Sequence, residues 1–167
     1  MQKFVRFLMS TGGLTLFNFI LLIVFTFSIF NALMLLYNSA DDAVQMDSIM
    51  NAIATILVAY GVVLEERESI FKSAGIYPAA VCEKESRIDH LCHNYGIAFL
   101  VVGLFIEVTT EIVKIPCQVI NFSAVEKPIF AVGMMLSVAS IFMLLYFTLK
   151  IFYSGKEKKE ENGLTAA

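Results

Sequence analysis

Residues 13–37 carry Leu, Ile, Phe and Val almost without interruption and contain no charged side chain. A helix needs about 20 such residues to cross the hydrocarbon core of a bilayer, and a signal-peptide core has only about 7–15. The run therefore reads as an uncleaved membrane anchor, although Lys3 and Arg6 precede it as they would precede a leader. Three more apolar segments follow, at residues 47–66, 96–115 and 128–153. The second is the weakest, diluted by Asn51 and Tyr60, and helix is expected to run on through Glu65, Glu66, Arg67 and Glu68. Pro116 should close the third, and Pro128 should sit in the first turn of the fourth.

Lipid offers no hydrogen-bond partner to a backbone, so spans of this kind must be helices or a closed barrel. The short alternating segments of a barrel are absent from the sequence. The expected fold is all-α: four transmembrane helices in an up-down-up-down bundle, one domain over residues 1–153. A longer connection covers residues 67–95, and a charged tail covers 154–167. Hydrophobic residues make up 58% of the chain, well above the roughly 45–50% of a soluble domain.

Charge placement gives an orientation. Lys3, Arg6, Arg67, Lys72, Lys84, Arg87, Lys150, Lys156, Lys158 and Lys159 share one side of a four-span arrangement, and only Lys114 and Lys127 fall on the other. The positive-inside rule then puts both termini in the cytoplasm. Size and span count suit a bacterial inner (plasma) membrane. No basic stripe is present to hold nucleic acid.

The chemistry that stands out lies in the third segment. Glu107 and Glu111 are four residues apart and share a helix face with Thr110 and Lys114. An ionisable group near a helix centre costs about 2.5–3.5 kcal/mol on insertion scales. At 1.5 Å per residue Glu107 falls about 3 Å, and Glu111 about 9 Å, from the middle of its span. Asn31, Asn51 and Ser137 come out at about 6–10 Å from the middles of theirs, on the same side. A buried polar cluster of Asn31, Asn51, Glu107, Thr110, Glu111 and Ser137, with Lys114 at its edge, is the expectation. Such a cluster could pass protons, hold a cation or fix packing between helices or subunits. If the third helix starts before residue 89, then Asp89, His93, Gly96, Leu100, Gly103, Glu107 and Glu111 form one stripe. Asp89 and His93 would then be a cytoplasmic point of proton access, with the imidazole suited to the transfer.

Cys82, His90, Cys92 and His93 could in principle hold a metal, but their spacing matches no zinc pattern. No cofactor is therefore expected. Cys82, Cys92 and Cys117 lack a recognisable activating base, and no phosphate-cradling loop or nucleophile elbow appears. Gly133 and Ser137 form a small-xxx-small pair suited to close helix contact. Phe17, Phe19, Phe25, Phe27 and Phe30 on the first segment are expected to face lipid or a neighbouring subunit. The chain reads better as a non-enzymatic membrane subunit or scaffold than as an enzyme. Its expected partners are the lipid bilayer and other membrane subunits or copies of itself. The alternative is a proton or cation conduit using Glu107 and Glu111.

Overall fold

The computed structural model describes residues 10–38, 43–73, 75, 83–117 and 123–164. Among them every secondary-structure element is a helix: α1 (Thr11–Asn38), α2 (Ala43–Glu65), α3 (Arg67–Ser73), α4 (Glu83–Cys117) and α5 (Ser123–Leu164). Ser10 caps α1, its hydroxyl accepting from the Gly13 N–H at 3.2 Å and its carbonyl from the Leu14 N–H at 2.9 Å. Only Glu66 separates α2 from the short α3. Backbone bonds run through it, from Glu66 N–H to Val62 O at 3.0 Å and from Ile70 N–H to Glu66 O at 2.9 Å. α3 is followed by Gly75, whose φ of 64° lets its N–H turn back to Lys72 O at 3.1 Å.

Two helices are longer than their apolar cores. α4 begins at Glu83, so much of the expected 67–95 connection is helical. The reason is a helical period in polar surroundings: Ile88 and Cys92 are buried, and Leu91 and Tyr95 pack against the core beside them. α5 starts at Ser123, which leaves Pro128 inside the helix, and runs through the charged tail to Leu164.

Four helical stretches are long and apolar enough to cross a membrane: Thr11–Leu35, Gln45–Glu65, Ser86–Ile112 and Pro128–Tyr153. Between 28% and 39% of each is buried within the chain, so most of every span needs another apolar environment. Phe19, Ile23, Phe27, Phe105, Met135, Phe142 and Phe152 are all at least half exposed. Water would not tolerate so continuous an apolar surface, and lipid does. The chain is an integral membrane protein. Phe25 departs from the lipid-facing expectation: it is fully buried, and Phe17 packs its ring 5.4 Å from that of Tyr60. Phe19, Phe27 and Phe30 do face outward.

α2 and α4 run antiparallel in backbone contact. Gly61 lies against Gly96 and Leu100, and Gly103 against Ala54 and Val58. An added Cβ at Gly96 would sit 2.7 Å from Glu65 N and 2.8 Å from Gly61 O. α5 is antiparallel to α4 in turn, with Gly133 beside Thr109 and Phe147 beside Phe99 and Tyr95. The interior is filled by Phe25, Met50, Ile53, Leu57, Phe99, Ile106, Leu144 and Phe147, each almost completely buried. The end where α1 finishes and α2 begins is called distal below, and the opposite end proximal.

Candidate functional site

The distal polar residues do not share one environment. Thr110 and Ser137 are buried, but each hydroxyl donates to its own helix: Thr110 Oγ1 to Glu107 O at 2.7 Å, and Ser137 Oγ to Gly133 O at 2.9 Å. Glu107 and Asn51 are half-buried, while Asn31 and Glu111 are exposed. The Lys114 side chain lies outside the described residues. The longer α4 also moves the centre of its span. Measured from the middle of Ser86–Ile112, Glu107 lies about 12 Å and Glu111 about 18 Å toward the distal end. The half-thickness of a hydrocarbon core is about 15 Å, which places Glu111 at the interface.

The stripe from Asp89 to Glu111 lies on one unbroken helix, as the proton-access idea requires. Its middle is closed. Gly96 and Gly103 are buried against the backbone of α2 with no room for a methyl group, and so none for a file of water. Asp89 is engaged by Arg67, and His93 is exposed.

The metal candidates are not brought together either. Cys92 is fully buried, His90 and His93 point outward, and Cys82 lies outside the described residues. His90 Nδ1 takes a hydrogen bond from the Asn94 amide at 3.2 Å. Among the described residues no three His, Cys, Asp or Glu side chains converge as a metal site would need.

Two buried polar contacts between different helices are proximal. Tyr60 of α2 donates its hydroxyl to Asn18 Oδ1 of α1, and both residues are at most 5% exposed. The Asn18 amide nitrogen is buried with no hydrogen-bond partner among the described residues. Around the pair runs a ladder of rings joining all four spans, with Phe17 of α1 against Tyr60. Tyr60 lies 5.8 Å from Phe99, Phe99 5.9 Å from Phe147, and Phe147 4.8 Å from Tyr95. Nearer the proximal surface Arg67 makes a buried ion pair with Asp89, its guanidinium 4.8 Å over the Phe71 ring. Cys92 is an electrostatic neighbour of both Tyr60 and Arg67. Outside the membrane, exposed Glu68 has its carboxyl held below the usual range by the hydrogen bond and charge of Lys72.

This arrangement holds helices together. Tyr60→Phe is expected to cost about 1–2 kcal/mol, because it leaves Asn18 Oδ1 without a donor in an apolar interior. Asn18→Leu combined with Tyr60→Phe should recover most of that loss. Reversible unfolding in detergent would test it as a double-mutant cycle, and purely additive losses would count against the bond. No known family model, curated protein or solved structure matches the chain.

Proposed function

We propose that the chain is a small integral membrane subunit or scaffold that packs within a larger or homo-oligomeric membrane complex. The observation that carries this reading is the inversion of the expected polarity. The interior is packed with apolar side chains and close glycine contacts, while Asn31 is exposed and Glu107 only half-buried, each about 12 Å from its span centre. A carboxylate at that depth is costly against lipid, and a neighbouring helix that covers it removes the cost. With Lys and Arg concentrated proximally, the proximal end and both termini face the cytoplasm of a bacterial inner membrane.

On the α4 stripe that carries Glu107, Gly96 and Gly103 pack directly against α2. Between copies a conduit would use Glu107 on a shared axis. The deciding experiment is extraction from the native membrane in mild detergent, followed by mass and composition. An unrelated stoichiometric partner or a defined homo-oligomer is expected, and Glu107→Leu with Asn31→Leu should lower its recovery several-fold. A monomer that cross-links to nothing in the membrane through Asn31→Cys would sink the proposal. If a homo-oligomer is found, proton flux in liposomes that disappears with Glu107→Gln would assign it as the conduit.

A further inference from the structure

At the proximal end of the α4–α5 seam, Lys150 lies with its Nζ 5.8 Å from the Tyr95 ring and 5.9 Å from the Tyr146 ring. The two tyrosine rings are 6.3 Å apart, one from each helix. Lys150 is exposed and has no carboxylate partner among the described residues. It sits about 14 Å from the centre of its span, at the edge of the hydrocarbon core, where a lysine extends its ammonium to headgroup level. Toward the membrane centre the same face turns wholly apolar. Phe142, Tyr146 and Lys150 follow at four-residue steps on α5, and Phe142 is 67% exposed. Val101 of α4 is also exposed on the outside of the helix.

A cation, two phenols and an apolar track, arranged in that order from surface to centre, match one ligand chemistry. We infer that this seam binds an anionic phospholipid. Lys150 holds the phosphate, the hydroxyls of Tyr95 and Tyr146 donate beside it, and an acyl chain lies along Phe142. Among the described residues Lys150 has no charge partner to give up on binding. The rings beneath it hold the ammonium at one place on the seam, which a freely solvated lysine would not do. The inference requires only that the protein sits in a bilayer, so it stands or falls apart from the assembly proposed above.

The test is native mass spectrometry of the full chain, delipidated and then offered an equimolar mixture of phosphatidylglycerol and phosphatidylcholine. The wild type is expected to retain phosphatidylglycerol preferentially. Lys150→Gln should cut that bound fraction about fivefold, the loss expected for one basic side chain near an anionic surface, and leave phosphatidylcholine unchanged. Tyr146→Phe should give a smaller loss in the same direction. Lys72→Gln, which alters an exposed lysine already paired with Glu68, should behave as the wild type. Equal retention by Lys150→Gln and the wild type would overturn the site, as would an equal loss from Lys72→Gln. Displacement of the lipid by millimolar inorganic phosphate would overturn the lipid as ligand and leave a free-anion site.

Discussion

Gly96→Ala is expected to destabilise the bundle by about 2–3 kcal/mol, although alanine is the better helix former by about 1 kcal/mol. The added methyl would lie 2.7 Å from Glu65 N and 2.8 Å from Gly61 O, both backbone atoms that no rotamer change can move. Ordinary carbon contacts are about 3.5–4.0 Å, so α2 and α4 would have to part by about 1 Å and loosen every contact along the seam. Gly61→Ala should be as harmful, with Gly96 O at 2.6 Å and Leu100 N at 2.7 Å. Gly103→Ala should cost less, because its closest neighbour is Val58 Cγ2, a side-chain atom. Gly133→Ala should cost less again, since the obstruction at 2.1 Å is the flexible end of Met50. Gly12 has nothing within 4 Å, and Gly12→Ala should be neutral or slightly stabilising. Reversible unfolding of the five variants in mixed micelles gives the ranking directly. If Gly96→Ala proves as harmless as Gly12→Ala, the α2–α4 seam is not packed as described.

The membrane-spanning character was legible because it depends on nothing but apolar length, and residues 13–37 and 128–153 coincide closely with two of the spans in the structure. Helix ends were harder to read. The stretch from Glu83 to Tyr95 looks like a loop by hydropathy because Glu83, Lys84, Glu85, Arg87, Asp89, His90, His93 and Asn94 crowd it. Its helix is stabilised by one buried edge, Ile88 and Cys92, a periodic signal that an average hydropathy hides. Starting α4 at Glu83 moves its centre toward the N-terminus. That shift moves Glu107 and Glu111 further from the middle of their span than the sequence bounds implied.

Polar sites followed the same logic. Asn31, Asn51 and Ser137 lie at similar depths along their helices, but depth says nothing about direction around the helix. Asn31 turns outward, and Ser137 satisfies itself on Gly133 O. Asn18 and Tyr60 each lie about 7.5 Å proximal of their span centres, on consecutive helices, and there the two do meet. Gly96 and Gly103 stood out in the sequence as members of the carboxylate stripe. Their seven-residue spacing, matched by Ala54 and Gly61 on the second segment, is equally the mark of a close antiparallel contact, and the structure uses it so.

Arg67→Leu is expected to be more damaging than any of the glycine changes, at about 3–5 kcal/mol, because it leaves the Asp89 carboxylate without its counter-charge. The side chains of Arg67 and Asp89 are only 4% and 11% exposed, so water cannot replace the missing partner. Asp89→Leu should be comparably harmful, since the guanidinium would keep its stacking on Phe71 but lose the carboxylate. The pair itself contributes little net stability, because both ions lose hydration to form it. Arg67→Met combined with Asp89→Leu is therefore expected to return close to wild-type stability. Arg67 is the first residue of α3, one residue beyond the Glu66 interruption, and Asp89 stands on α4. The ion pair thus latches the short helix against the start of α4, and either single variant should free α3 as well as weaken the bundle. Amide exchange would separate the two effects. Arg67→Leu should bring residues 67–73 toward open-chain exchange rates, while amides around Gly61 and Gly96 stay protected until global unfolding. Should the double variant fall as far as the singles, or the exchange of α3 stay unchanged in Arg67→Leu, the contact between α3 and α4 rests on apolar packing of Phe71 and Ile70 rather than on the charge pair.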